Sequence, residues 1–184
     1  MAAKRAAAAV GTLIRGHGPL LQRNVKIDRE AGMQGHPRGR ALRKGRVSEL
    51  GRIYSITTVV HNRRPVFSDW RLGRILVDVM RQAERQGRVE SLAWVVMPDH
   101  LHWLFRLTEG ALDELMRDVK SQSGRRINRT ALLVSPLWQP GYHDRAIRHD
   151  QDLQAVARYI VANPLRAGLV RRVGEYPLWD AVWL

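Results

Sequence analysis

Two apolar runs, Val89 to Val96 and His100 to Leu107, are separated only by Met97-Pro98-Asp99. A connector that short, with a proline that disfavours continued pairing, folds the second run back on the first as a hairpin. The rest of the domain has to be built around antiparallel strands. Upstream, Ile53-Tyr54-Ser55-Ile56-Thr57-Thr58-Val59-Val60 is β-branched and aromatic, the composition of a first strand, and Asn62-Arg63-Arg64-Pro65 breaks it. From Asp69, Leu72, Ile75, Leu76, Val79, Met80 and Ala83 recur at helical spacing until Gly87. Gly110 opens a second helix with Leu112, Leu115, Met116 and Val119 on its apolar stripe, while Lys120, Arg125, Arg126 and Arg129 lie mostly off it. Leu137 to Ile147 is expected to form another strand, interrupted at Pro140-Gly141. Asp150 is expected to cap a third helix from Gln151 to Asn163, where Pro164 favours termination. The stretch after Gly168 is short and aromatic. The order β-α-β-β-α-β-α predicts an α+β domain of ferredoxin-like character over residues 48–184, an antiparallel sheet covered by helices.

Charge narrows the partner. Against 17 Asp and Glu the chain carries 31 Lys and Arg, a formal net charge of +14, which points to a polyanion, nucleic acid first. An anionic membrane surface is the rival, but no window approaches the roughly 18 consecutive apolar residues of a spanning helix. With no cysteine, disulfides, thiolate zinc sites and cysteine nucleophiles are excluded, and any metal must rest on His, carboxylate or amide ligands. Residues 1–47 form a basic extension with an Ala run and few acids. Pieces such as Gln34-Gly35-His36-Pro37-Arg38-Gly39-Arg40 fit a flexible polycation touching phosphate backbone better than a transit peptide. A solvated tail or a misplaced translation start explains them equally.

Two places carry chemistry. His100 and His102 are two apart on a strand, so their imidazoles project from one face with Leu101 on the other, and two rings on one face can share a metal ion. Ordinary polar residues near a strand start give the same pattern. Tyr159 and Asn163 stand at i and i+4, so one helical face offers a hydroxyl and an amide about one turn apart. A core-edge tyrosine and an asparagine closing a helix before proline explain that spacing too.

Taken together in order, Met97-Pro98-Asp99-His100-Leu101-His102, Trp138-Gln139-Pro140-Gly141-Tyr142-His143-Asp144-Arg145 and Tyr159-Ile160-Val161-Ala162-Asn163-Pro164 resemble the REP-associated tyrosine transposases, a group of the single-tyrosine, His-hydrophobic-His transposases. The resemblance runs from about Arg52 to Leu169 and leaves the first fifty residues outside. It implies that His100 and His102 bind Mg²⁺ or Mn²⁺, that Tyr159 is the nucleophile, and that Asn163 is the candidate third ligand. It also places Trp138, Gln139 and His143 near the site. The implied substrate is an imperfect palindromic DNA hairpin with a single-stranded foot. The implied setting is the bacterial cytoplasm at the nucleoid, with the protein a monomer and a dimer the alternative.

Such chemistry is coherent with these residues. A tyrosine hydroxyl, with a reference pKa of about 10, needs a nearby positive charge or base to act at neutral pH. Attack on a phosphodiester leaves a 5′-phosphotyrosine and a 3′-OH, and a second 3′-OH can reverse the step without ATP. Lys120, Arg125, Arg126 and Arg129 are expected to track phosphates, with Trp138, Gln139 and His143 nearby, and Trp94, Trp103 and Trp138 to stack bases unless they are core residues. Two rivals remain: a catalytically silent nucleic-acid-binding regulator of the same fold, and a replication or conjugation initiator, which the short chain disfavours.

Overall fold

The computed structural model describes residues 48–148 and 152–183. The basic extension 1–47 and the Asp150 cap with its Gln151 helix start lie outside the described residues.

Five strands form one antiparallel sheet in the order β4-β1-β3-β2-β5, with β1 Ile53–Val59, β2 Val89–Met97, β3 His100–Leu107, β4 His143–Ala146 and β5 Trp179–Ala181. The first four reproduce the split β-α-β arrangement of the expected ferredoxin-like fold. Met97 pairs with His100, so Pro98 and Asp99 alone make the hairpin turn. Helix α1, Trp70–Arg85, begins at Asp69, whose carboxylate accepts a hydrogen bond from the Arg71 amide at 2.9 Å. Helix α2, Leu112–Ala131, lies beside it.

Alternation along the strands divides the interior in two. Tyr54, Ile56, Trp94, Val96, Leu101, Trp103 and Phe105 meet the buried stripes of α1 and α2. The opposite face presents Ala93, Val95, Met97 and Leu104 to Ala157, Ile160 and Val161 of α3, Leu153–Val161. Burying a large aliphatic or aromatic side chain stabilises by about 1.5–3 kcal/mol, so α3 is held on the sheet mainly by this second, smaller cluster.

Two expectations about the C-terminal part are corrected, and a strand is added. The strand expected over 137–147 contracts to His143–Ala146, with a single bridge between Val60 and Trp138. Pro140 cannot donate to a ladder and Gly141 adopts φ +78°, so pairing cannot run through them. Pro164 does not stop the helical path: α3 ends at Val161, and Pro164 sits in the first turn of a short α4, Asn163–Arg166, where its missing N–H costs nothing. The aromatic segment after Gly168 contains β5, and Leu178 just before it packs on Gly73, where any Cβ would collide with its side chain. Glycine lets the C-terminal segment lie against α1.

Candidate active site

The site lies on the sheet face that α3 covers. The rings of His100 and His102 stand nearly perpendicular, with centroids 4.7 Å apart and Nε2 atoms 3.1 Å from each other. Each ring is gripped at its other nitrogen. Asp99 Oδ1 lies 2.5 Å from His100 Nδ1, and Thr57 Oγ1 lies 2.8 Å from His102 Nδ1. Thr57 faces His102 directly in the β1–β3 register, so strand pairing itself delivers the hydroxyl. Asp99 is held in turn by Arg63, whose Nη1 donates to Oδ2 at 3.0 Å. Arg63 and its neighbour Asn62 occupy the left-handed region, with φ of 50° and 55°, a conformation unfavourable for side-chain-bearing residues. Backbone bonds from Val60 N to Asp99 O and from Phe67 N to Pro98 O, 2.8 and 2.9 Å, tie this strained segment to the hairpin turn.

Electrostatics favour the neutral form of the His102 ring. Burial pushes the His102 pKa down to about 3, the charges of His100 and Arg166 push in the same direction, and Asp99 opposes them. His102 is therefore a neutral imidazole at physiological pH. For Asp99, burial alone would raise the pKa, but hydrogen bonds and charges from His100 and Arg63 outweigh it and hold the carboxyl below its usual range. As a carboxylate it accepts the Nδ1 proton of His100. The two Nε2 atoms, 3.1 Å apart on one face, would fit as imidazole ligands of a single divalent ion. Among the described residues no three His, Asp or Glu side chains are placed to hold one metal ion together.

Helix α3 begins at Asp152, whose side chain caps the Ala155 amide at 3.0 Å. Its inward residues leave Tyr159 on the outer side, 42% exposed. The Asn163 Nδ2 donates to the carbonyls of Ile160 and Tyr159 at 2.8 and 3.3 Å, closing the end of α3. Its Oδ1 accepts from Arg166 Nη2 at 2.7 Å. Tyr159 and Asn163 are thus brought to one elbow, between α3 and α4. That elbow adjoins the sheet, since α4 packs on β2 and the charge of Arg166 bears on His102.

The expected DNA-binding residues separate. Helix α2 covers the face opposite the histidines. Lys120 turns inward, its Nζ donating to Gln139 O at 2.7 Å and also to Gly141 O; it satisfies carbonyls that the Pro140-Gly141 break removes from a ladder, which corrects its expected place on an open phosphate track. Arg126 reaches Asp78 on α1 at 3.8 Å, while Arg125 and Arg129 are exposed. Trp138 is 7% exposed, its ring 5.5 Å from that of Phe67 and its Nε1 donating to Ser123 at 3.0 Å. Trp94 and Trp103 are likewise buried. All three are core residues, which corrects the expectation that they stack bases. Gln139 is half-buried and tied by its amide to Val59 O at 2.9 Å. His143 is exposed and pairs with Thr57 across β4–β1, so it shares a cross-strand row with Thr57 and His102.

Sequence reasoning missed Thr57, Asp99, Arg63 and Arg166. Arg166 alone left a usable trace, since residues 159, 163 and 166 follow the i, i+4, i+7 spacing of one helical face.

Comparison with known proteins identifies the family. Residues 50–163 match the family model described as "Transposase IS200 like". The REP-associated tyrosine transposase of Escherichia coli (strain K12) is 33% identical over 98 residues, 52% of this chain and 56% of that protein, so the match spans little more than half of the relative. A solved structure of a REP-associated tyrosine transposase bound to a REP hairpin superposes with a TM-score of 0.59 at 27% identity, covering 73% of this chain and 79% of the other. With more than half of its length matched, including the histidine strand and the tyrosine helix, the chain belongs to the IS200-like transposase family.

Proposed function

We propose that this protein is a metal-dependent endonuclease and strand transferase for single-stranded DNA at hairpin-forming repeats, acting through a 5′-phosphotyrosine on Tyr159. The observation that carries the proposal is the pair of Nε2 atoms 3.1 Å apart, each ring gripped at Nδ1, on the sheet face to which the Tyr159 helix is docked. The relatives whose names specify a REP-associated tyrosine transposase, one of them bound to a REP hairpin, support the substrate class, and the +14 charge supports a polyanion.

His100 and His102 fit as ligands of Mg²⁺ or Mn²⁺, two imidazoles making Mn²⁺ the softer match. Asn163 is the candidate third ligand; its Oδ1, which accepts from Arg166 through one lone pair, keeps a second for the ion. When bound, the ion supplies Lewis acidity to a non-bridging oxygen of the scissile phosphate. Asp99 and Thr57 hold the two rings at Nδ1, so that both Nε2 atoms stay turned toward the ion's position. The Tyr159 hydroxyl attacks phosphorus, its proton passes to solvent or a neighbouring base, and the leaving 3′ oxygen takes up a proton as its bond breaks. The new ester stores the phosphodiester's free energy, which permits rejoining to another 3′-OH. His143, Gln139, Arg125, Arg126 and Arg129 are the proposed DNA contacts, and the protein acts as a monomer at the bacterial nucleoid. No helix among the described residues is long and apolar enough to cross a membrane.

A hairpin oligonucleotide with a single-stranded foot, labelled at its 3′ end and incubated with Mn²⁺, tests this. The intact protein should carry the label covalently and Tyr159→Phe should carry none while binding the hairpin equally. Binding without adduct by the intact protein would favour the silent regulator instead.

A further inference from the structure

Arg166 makes three contacts within the α3–α4 elbow. Its guanidinium carbon lies 3.7 Å from the centroid of the Tyr159 ring. Nη1 donates to the Tyr159 carbonyl at 2.8 Å, and Nη2 donates to Asn163 Oδ1 at 2.7 Å. Arg166 lies beyond residue 163, where the family match ends. A planar guanidinium is unusual in being able to stack on a ring with its flat side while its edge bridges two oxygens. Here both oxygens belong to the unit that presents Tyr159, and a single residue, Ala162, both ends α3 and begins α4. Without a brace across that junction, an exposed tyrosine ring samples several rotamers.

We propose that Arg166 is a positioning residue for Tyr159: it fixes the ring and the Asn163 amide as one rigid unit across the α3–α4 junction, so that the hydroxyl meets the scissile phosphate in line. The inference rests on Tyr159 being the nucleophile. A charge that served only to attract DNA would act mainly on affinity. A brace acts on the rate of the bound complex, because a misplacement of about 1 Å can cost on the order of 10²-fold.

The test compares the intact protein, Arg166→Met and Arg166→Lys in single-turnover adduct formation with Mn²⁺ across a range of hairpin concentrations, alongside thermal melting. Arg166→Met should lower the maximal rate on the order of 10²-fold with hairpin affinity within about twofold of the intact protein and an unchanged melting temperature. Arg166→Lys should not restore it, since an ammonium keeps the charge but loses the stacking plane and the fork. In metal-free, DNA-free protein, NMR should show the Arg166 Cδ protons shifted upfield by the Tyr159 ring, with the shift lost in Tyr159→Leu. An unchanged maximal rate in Arg166→Met, restoration by Lys, or absence of the ring shift would overturn the assignment. If the intact protein forms no adduct while the ring shift is present, the nucleophile assignment itself falls, and this inference falls with it.

Discussion

Thr57 and His102 face each other across β1 and β3, and the Thr57 hydroxyl lies 2.8 Å from His102 Nδ1. One hydroxyl thereby holds the orientation of a largely buried ring. Thr57→Val retains the shape and removes that partner. Mn²⁺ affinity, followed by calorimetric titration, should fall about 10–100-fold, while melting changes little. Undiminished affinity would show that the hydroxyl does not orient the ring for the ion.

Asp99 and Arg63 form the corresponding support for His100, but unequally. Asp99→Ala removes the Nδ1 partner itself and should weaken Mn²⁺ binding about 10–100-fold. Arg63→Ala removes a half-exposed ion pair, of a kind that contributes about 0–1 kcal/mol, and should weaken binding several-fold at most. The order of the two effects is the measured quantity. A larger loss in the arginine variant would mean that the strained Asn62-Arg63 segment matters more than the carboxylate.

Trp138 distinguishes a core residue from a base-stacking one. Trp138→Ala should destabilise by about 3–5 kcal/mol in denaturant unfolding. Trp138→Phe keeps most of the packing and loses the bond to Ser123, a cost of about 1 kcal/mol, and should bind hairpin DNA as the intact protein does. A selective loss of DNA affinity in the Phe variant would restore the stacking role.

Tyr176 anchors the C-terminal segment through a hydroxyl that donates to Val96 O at 2.8 Å, and burial pushes its pKa up to about 12. Below pH 10 the phenol is protonated in folded and unfolded chains alike, so its contribution is complete. Between about 10 and 12 the unfolded chain releases a proton that the folded one retains, and stability falls as pH rises. The melting advantage of the intact protein over Tyr176→Phe should therefore shrink from pH 9 to pH 11. A constant advantage would place Tyr176 in ordinary solvent contact.

Much of the sheet and half of the site were legible in the sequence, for physical reasons. Strand and helix periodicity located β1 to β3, α1 and α2 because each buries a regular face, and the two-residue spacing of His100 and His102 fixed their shared face. Partners supplied by strand pairing were hidden, since nothing local to Thr57 says that it faces His102. The inward turn of Lys120 was also hidden, because it depends on where the broken Pro140-Gly141 segment leaves its carbonyls. β5 was missed because three residues in an aromatic tail have too little alternation to register. Asp99 was read only as a turn residue, since nothing local to it says that its carboxylate grips His100 and meets Arg63.

Trypsin offers a direct assay of the central claim. Cleavage after Arg158 and after Arg166 releases Tyr159-Ile160-Val161-Ala162-Asn163-Pro164-Leu165-Arg166, which holds one of the chain's 4 tyrosines. After reaction with a hairpin and Mn²⁺, then nuclease and trypsin digestion, mass spectrometry should find the nucleotide phosphate on Tyr159 of this peptide. Phosphate on Tyr54, Tyr142 or Tyr176, or an unmodified Tyr159 peptide alongside cleaved DNA, would contradict it.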